Sequence, residues 1–255
     1  MFQTALVFLL GTCLGSFLNV CVYRLPRQES PVWPRSHCMR CKRALPLWWN
    51  VPVVSYLMLR GRCRFCEGRI PPTYLLVEVL TGVLLVLIWK HYGLSLSFLR
   101  YSVLILLLLT ISFIDLHHKL ILNVLTFPGI GLGLLLSGLT SEPPIVESIA
   151  GLVLGGGTLW LIGRSGKVVF KQESMGAGDI KLGAMIGTFL GAKVMVALFL
   201  AFLVAAPVVL IGLLTGRLRV GSTIPFGPFL SSGAVLLVCF GPQLYEFYLS
   251  LIGLA

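Results

Sequence analysis

The chain has 255 residues, of which 57% are hydrophobic and only 11% are charged, and its mean hydropathy is +0.95. A soluble domain carries about a quarter of its residues as charged side chains. The composition therefore excludes a soluble enzyme, a disordered chain and a small disulfide-rich secreted protein. The net charge of +11 is typical of basic cytoplasmic loops in a membrane protein, and no nucleic-acid partner is expected.

Apolar stretches follow one another along the whole chain. At about 20 residues per crossing, the sequence predicts an all-α polytopic membrane protein with about eight transmembrane helices. The stretches are residues 2–22, 74–89, 99–115, 121–138, 146–163, 180–192, 194–214 and 226–252. The sixth is short, and its boundary with the seventh is the least distinct. No cleavage site follows the first stretch, so we expect a retained helix and not a removed signal peptide.

Basic residues are distributed unevenly between alternate loops. If the loop after the first stretch is cytoplasmic, 17 of the 20 Lys and Arg residues fall on that side, and only Lys90, Arg100 and Lys193 fall opposite. Cytoplasmic loops are enriched in basic residues, so we expect both termini outside the cytoplasm. The predicted parts are a first transmembrane helix (1–23), a cytoplasmic domain (24–73) and a seven-helix membrane domain (74–255).

The polar segment 24–73 contains two Cys-x-x-Cys pairs, Cys38 with Cys41 and Cys63 with Cys66. Four thiolates complete a closed tetrahedral site for a structural Zn²⁺ ion, which would supply folding energy to a segment with little core of its own. A redox dithiol and a disulfide staple are the alternatives, but a cytoplasmic location disfavours stable disulfides. We therefore expect a small zinc-ribbon-like insertion, whose basic residues contact anionic membrane lipids.

Asp115 and Asp179 are the only two aspartates in the chain. Asp115 ends the third apolar stretch and Asp179 begins the sixth, so the orientation places both at the cytoplasmic face. Carboxylates at the membrane boundary are costly and are functional candidates. If the two helices pack together, one carboxyl keeps a proton while the other acts as a base, and the pair can activate water to attack a peptide carbonyl. The alternative is that each aspartate is an interfacial or helix-capping residue.

Three neighbours of Asp179 belong to the same candidate site. Gly176 and Gly178 lack a Cβ atom, so they would let a substrate backbone approach closely and let the chain turn sharply into the helix. Lys181 is expected to extend to the lipid headgroups, and it could also bias the ionisation of Asp179.

Several short motifs occur in a fixed order along nearly the whole chain. They are Gly15-Ser16-Phe17-Leu18-Asn19-Val20, Tyr23-Arg24-Leu25-Pro26, the two cysteine pairs, Arg60-Gly61-Arg62-Cys63, Tyr74 with Glu78, the segment from Asp115 to Asn123, and Gly176-Ala177-Gly178-Asp179-Ile180-Lys181-Leu182. In this order they resemble the type IV prepilin peptidase family of bifunctional leader peptidases and N-methyltransferases. Leu122 and Met39 stand where members of that family often have proline.

The resemblance implies a membrane aspartyl protease of the bacterial cytoplasmic membrane. It would remove the basic leader of type IV prepilins or pseudopilins at the cytoplasmic face and then methylate the new amino terminus with S-adenosylmethionine. Asp115 and Asp179 match the catalytic pair of the family, and the four paired cysteines match its metal ligands. Asn19, Arg24 and Glu78 are candidates for the methyltransferase site from their positions in the family motifs.

Two other classes of function fit parts of the same pattern. A proton- or cation-coupled transporter would use Asp115 and Asp179 as ion sites, but such folds are typically built from internal repeats, and the sequence contains no recognisable repeat. A zinc-containing membrane scaffold would make both aspartates incidental. Cleavage of a prepilin by purified protein separates these classes from a protease.

Overall fold

A computed structural model describes residues 1–33, 35–46, 49, 51–140, 143–170, 175–218 and 224–251, without the side chains of 169–170, 242–249 and 251. Within this part of the chain the regular structure is helical and no β-strand is present. The prediction of an all-α membrane protein is confirmed. Contacts along the chain divide it into two compact units, Met1–Gly93 and Leu94–Ala255.

Nine α-helices lie within the described residues. They are α1 (Phe2–Arg24), α2 (Val54–Met58), α3 (Pro72–Tyr92), α4 (Leu96–His118), α5 (Asn123–Thr140), α6 (Ile145–Phe170), α7 (Ala177–Leu190), α8 (Val194–Leu214) and α9 (Gly227–Leu251). All except the short α2 correspond to one of the eight predicted apolar stretches.

Six segments of the described chain are long and apolar enough to cross a membrane. One of them, Ala177–Leu214, combines α7 and α8 over 38 residues. A straight helix of that length would measure about 57 Å at 1.5 Å per residue, roughly twice the hydrocarbon core. The 3₁₀ turn Gly191–Lys193 interrupts it, and Gly191 has the left-handed φ of +60° that favours glycine. The number of eight crossings remains a prediction.

In the unit Met1–Gly93, α1 and α3 pack with their backbones in close contact. A Cβ atom at Gly11 would lie 2.7 Å from the Cα atom of Gly82, so a larger residue would separate the helices. Nearer the polar end, the side-chain amide of Asn19 donates to the carbonyl oxygen of Tyr74 at 3.0 Å. This hydrogen bond joins the end of α1 to the start of α3, and the long polar connection runs between these two points.

In the unit Leu94–Ala255, α4 supplies much of the core. Its fully buried apolar side chains are Leu104, Ile105, Leu108, Ile111 and Ile114. Helices α6 and α7 pack closely where Gly155 faces Gly183 and where Gly151 faces Gly187, because a Cβ atom on either α6 glycine would overlap the carbonyl oxygen of the facing glycine. Small residues permit this close helix–helix packing in membranes. The contact fixes the position of α7, whose first turn carries Asp179.

A fully buried arginine links four helices of this unit. The Arg100 guanidinium on α4 donates to the Thr140 hydroxyl at 3.0 Å, the Ser148 hydroxyl at 3.3 Å and the Thr188 carbonyl at 2.8 Å. These acceptors belong to α5, α6 and α7, respectively. Buried charges require such hydrogen bonds, so Arg100 acts inside the helix bundle and is not a loop residue in contact with solvent.

Candidate active site

Asp115 lies near the end of α4 and is only 4% exposed. Its Oδ2 atom accepts a hydrogen bond from the backbone N–H of Gly227, the first residue of α9, at 2.9 Å. The first N–H groups of a helix have no partner within the helix, so they are natural donors to a carboxylate. Helix α4 ends three residues later at His118, and Lys119, which caps it, adopts a left-handed conformation. The N-terminus of α9 therefore fixes the Asp115 carboxylate.

Asp179 is half-buried in the first turn of α7. Its Oδ2 atom accepts the backbone N–H of Gly176, the residue that precedes the helix, at 3.2 Å. This bond holds the carboxylate at the start of α7. The charge of Asp115 acts on Asp179, and α4 contacts α7. The structure thus places the two aspartates within electrostatic range of each other, although the sequence separates them by more than sixty residues.

Gly178 and Lys181 fix the turn after α4 against the start of α7. A Cβ atom on Gly178 would lie 2.8 Å from the Cβ atom of Ile121, so this glycine permits packing between the two segments. The Lys181 ammonium donates to the Asn123 side-chain oxygen at 2.8 Å and lies 5.4 Å from the centre of the Phe127 ring. The segments that carry the two aspartates are therefore connected directly.

Sequence reasoning missed Gly227. A Cβ atom at this position would lie 2.7 Å from Oδ2 of Asp115, so glycine is what allows the carboxylate to reach the backbone N–H. One signal was available in the sequence, because Pro228 follows Gly227 at the start of an apolar helix. Proline is favoured in the first turn, where free N–H groups attract an anion.

The four paired cysteines come together in the unit Met1–Gly93. The sulfur atoms of Cys38, Cys41, Cys63 and Cys66 all lie within 4.8 Å of one another, and those of Cys38 and Cys66 are 3.8 Å apart. Tetrahedral Zn²⁺ with Zn–S bonds of about 2.3 Å places its sulfurs about 3.8 Å apart. The cluster can therefore bind a metal ion, and its donor set fits zinc.

The two Cys-x-x-Cys turns have matching backbone geometry. In the first, Cys38 N–H donates to the Arg43 carbonyl, and Lys42, with φ +60°, donates to the Cys38 carbonyl. The backbone N–H of Arg40 also approaches Sγ of Cys38 at 3.4 Å. This contact places the partial positive charge of an N–H group beside the sulfur.

The second turn repeats these contacts. Cys63 N–H donates to the Gly68 carbonyl, Glu67, with φ +53°, donates to the Cys63 carbonyl, and Phe65 N–H lies 3.5 Å from Sγ of Cys63. A hydrogen bond from Gly68 lowers the pKa of the Cys66 thiol, but desolvation and the adjoining thiols raise it by more, to about 11. A bound divalent cation would offset these effects on the pKa and favour the thiolate forms of the cysteines.

The structure assigns hydrogen-bond partners to all three candidate methyltransferase residues. Asn19 ties α1 to α3, as described above. Arg24 is buried, and its guanidinium donates to the carbonyls of Ser30 and Arg35 at 3.0 and 3.4 Å. Both residues therefore support the polar connection between the helices. Glu78 is buried in α3, and its carboxylate accepts the backbone N–H of Val53 at 2.7 Å.

Val53 adopts a strained backbone conformation. It has φ +62° and ψ −53°, and the N–H of Val54 donates to the carbonyl of Pro52 at 2.6 Å, which closes a γ-turn around it. This conformation is rare for a β-branched residue and costs about 1–3 kcal/mol. Strain of this kind is concentrated at functional sites, and here it aims an N–H group at Glu78.

A cavity of about 680 Å³ lies beside Glu78 in the same unit. Small-molecule sites typically have volumes of about 300–1,000 Å³. Arginine and aromatic side chains from the polar connection contribute much of its lining, and Glu78 is the only carboxylate among the described residues that line it. The cavity therefore combines a binding volume, stacking surfaces and both signs of charge.

Comparison with known proteins matches each of the two units to a protein family. Residues 9–92 match the Bacterial Peptidase A24 N-terminal domain, and residues 102–211 match the Type IV leader peptidase family. No solved structure matches the chain significantly.

Three similar proteins are each named prepilin leader peptidase/N-methyltransferase. The Pseudomonas putida protein is 34% identical, with 97% of this chain and 94% of the relative covered. The Pseudomonas aeruginosa protein is 34% identical, covering 96% and 93%, and the Neisseria gonorrhoeae protein is 33% identical, covering 90% and 88%. With identity above 30% over nearly the full length of both chains, this protein belongs to the type IV leader peptidase family.

Proposed function

We propose that this protein is a prepilin leader peptidase that also methylates the amino terminus it exposes. Its substrates are type IV prepilins or pseudopilins, whose short basic leader precedes an apolar transmembrane helix. The meeting of Asp115 and Asp179 in the unit Leu94–Ala255 carries the peptidase assignment. The transporter and scaffold alternatives are not favoured, because the similar proteins match nearly the full length of this chain and are named as enzymes.

Hydrolysis follows from the chemistry of two adjacent carboxyl groups. Like charges at short range disfavour two carboxylates, so one group keeps its proton. The ionised group takes a proton from a water molecule while that water attacks the peptide carbonyl carbon. The protonated group donates to the carbonyl oxygen, and the resulting tetrahedral species breaks down with proton transfer to the leaving nitrogen. The N–H groups of Gly227 and Gly176 hold the pair in position.

Replacing either aspartate with asparagine tests this assignment. Asp115→Asn and Asp179→Asn each remove the ability to exchange a proton but keep the shape of the side chain. We expect each substitution to reduce cleavage of a purified prepilin in detergent about 100-fold or more. Gel shift of the cleaved substrate and mass spectrometry of the product measure the rate.

Glu147→Gln is the matched control, because Glu147 is an exposed acidic residue at the start of α6, far along the chain from both aspartates. This variant should cleave at the rate of the unaltered protein. Full cleavage by either asparagine variant would refute the aspartyl protease assignment. A transporter would show ion-dependent flux with no cleavage by the unaltered protein.

The N-terminal unit supports the second activity and the metal. We assign Zn²⁺ to Cys38, Cys41, Cys63 and Cys66, whose spacing and closed donor set suit a structural ion. We assign the methyl donor S-adenosylmethionine to the cavity beside Glu78, whose volume and mixture of aromatic and basic side chains suit a nucleoside joined to an amino acid. When bound, this donor supplies an electrophilic methyl group.

The protein is an integral membrane protein, and we place it in the bacterial cytoplasmic membrane. The excess of Lys and Arg in alternate loops supports an orientation with the termini outside and the aspartates at the cytoplasmic face. Anionic lipids at that face would contact the basic residues of segment 24–73. A prepilin with its basic leader in the cytoplasm would then present its cleavage site at the depth of the two carboxyl groups.

A further inference from the structure

Glu78 occupies an unusual position for a carboxylate. It lies six residues after Pro72, where α3 begins, which is about 9 Å along the helix at 1.5 Å per residue. It is buried in a segment apolar enough to cross a membrane. Carboxylates at such a depth are expensive to retain and mark functional sites by default.

Two groups orient the Glu78 carboxylate within the unit Met1–Gly93. The strained turn at Val53 donates its N–H, and the Ser16 hydroxyl on α1 supplies a further hydrogen bond. Both Ser16 and Glu78 line the cavity of about 680 Å³. Three separate segments of the chain thus converge to hold one carboxylate at the wall of a binding volume.

Charge distinguishes Glu78 from the other residues of the cavity. Among the described lining residues it is the only acid, whereas the ionisable side chains contributed by segment 24–73 include Arg24, Arg35, Arg40, Arg64 and Arg69. A soluble donor that carries a carboxylate finds its counter-charge among these arginines. The new amino terminus of the substrate is a primary ammonium at the end of an apolar helix. Among the described lining residues, only Glu78 offers it an opposite charge.

We propose that Glu78 binds the amino group that becomes methylated and takes up the proton that this group releases. The proposal rests on the proposed N-methyltransferase function and names the residue that acts on the acceptor. A free α-amino group has a pKa of about 7.7–8.0, so it is mostly protonated at neutral pH and cannot attack a methyl carbon. A carboxylate beside it provides both a binding partner and a proton acceptor.

The ammonium gives one proton to Glu78 and becomes a neutral amine, whose lone pair attacks the methyl carbon attached to the sulfonium. The new N–C bond forms as the C–S bond breaks, and the bonding electrons remain on sulfur as a neutral thioether. The product is a secondary ammonium, and Glu78 returns its proton to water.

Glu78→Gln tests the proposal, because glutamine keeps an oxygen that can accept the Val53 N–H but cannot take up a proton. We expect the variant to cleave a prepilin substrate at the rate of the unaltered protein. In equilibrium dialysis, its Kd for methyl-labelled S-adenosylmethionine should stay within about threefold of the value for the unaltered protein. Its methylation of the new amino terminus, measured by mass spectrometry, should fall about 100-fold or more.

Glu29→Gln is the control, since Glu29 is an exposed acid in the same unit and does not line the cavity. It should cleave, bind the donor and methylate normally. Methylation at the normal rate by Glu78→Gln would show that Glu78 only supports the turn at Val53, and loss of donor binding would show that it acts on the donor. Either result overturns the proposal, whereas an unaltered protein that never methylates refutes the proposed function itself.

Discussion

At Gly227, a backbone N–H and the absence of a side chain act together on Asp115. The N–H donates to Oδ2 at 2.9 Å, and a Cβ atom would lie 2.7 Å from the same oxygen. Gly227→Ala should therefore displace the carboxylate and weaken its hydrogen bond. A hydrogen bond to a charged group contributes about 1.5–3 kcal/mol, so we expect the rate of prepilin cleavage to fall about 10- to 100-fold.

Gly241→Ala provides the comparison further along α9, just after the kink at Phe240. Among the residues that the structure describes, a Cβ atom at Gly241 has no neighbour within 4 Å, so this variant should cleave at the normal rate. Thermal unfolding of both variants separates a local change at Asp115 from general destabilisation. Equal activity of Gly227→Ala and the unaltered protein would show that Asp115 does not depend on this contact.

At the residue scale, the sequence singles out side chains by their chemistry. Asp115 and Asp179 stand out because they are the only aspartates and share one predicted depth; the structure places them within electrostatic range of each other, and their catalytic role stays a prediction. Gly227 and Val53 were not predicted, because each contributes a backbone N–H whose direction depends on the fold. The close packing of Gly178 on Ile121 was missed for the same reason, since no local pattern records which segment fills the space beside a glycine.

At the scale of elements, the contact between α6 and α7 determines where Asp179 lies. Gly155→Ala would place a methyl group against the Gly183 carbonyl and force the helices apart. Alanine favours a helix over glycine by about 1 kcal/mol, but overpacking typically costs about 1–3 kcal/mol. We expect a lower thermal unfolding temperature in detergent and reduced prepilin cleavage.

Gly157→Ala is the matched control on α6, because a Cβ atom there has no neighbour within 4 Å in the described part of the chain. Only the helix preference remains at this position, so its unfolding temperature should be unchanged or higher. If Gly155→Ala were as stable and active as Gly157→Ala, close packing of α6 on α7 would not be what positions Asp179.

Helices were well predicted wherever apolar residues are continuous. The expected boundary between the sixth and seventh stretches coincides with the 3₁₀ turn Gly191–Lys193. The short helix α2 was not predicted, because five residues in a polar segment carry too little periodicity. The close approach of Gly155 to Gly183 was also beyond prediction, since glycine content alone does not identify the helix that each glycine faces.

At the scale of the whole molecule, the sequence suggested a division at the polar segment 24–73, and this three-part division remains a prediction. The structure groups α3 with α1 in the unit Met1–Gly93, because their backbones meet at Gly11 and Gly82. Hydropathy cannot reveal such a grouping, since α3 is as apolar as the helices that follow it. The paired cysteines, in contrast, predicted their own cluster, because two Cys-x-x-Cys turns have few other ways to satisfy four thiols.

Metal binding should determine whether that cluster folds, because the connection between α1 and α3 contains only one short α-helix, 3₁₀ turns such as Leu25–Arg27 and two isolated β-bridges among its described residues. Binding of a structural Zn²⁺ ion contributes about 10–16 kcal/mol in zinc-finger peptides, which is far more than a small module gains from its core. Cys38→Ser should therefore reduce bound zinc from one ion per chain to nearly none. It should also expose segment 24–73 to limited proteolysis.

Cys239→Ser is the control for this prediction, since Cys239 lies on α9 outside the cluster. Its zinc content and proteolytic pattern should match those of the unaltered protein. Elemental analysis of protein purified without added metal measures the stoichiometry directly. Unchanged zinc in Cys38→Ser would place the metal elsewhere, and a zinc-free but protease-resistant variant would show that the connection folds without it. The predicted loss of both therefore tests whether the metal supplies the folding energy that this segment lacks.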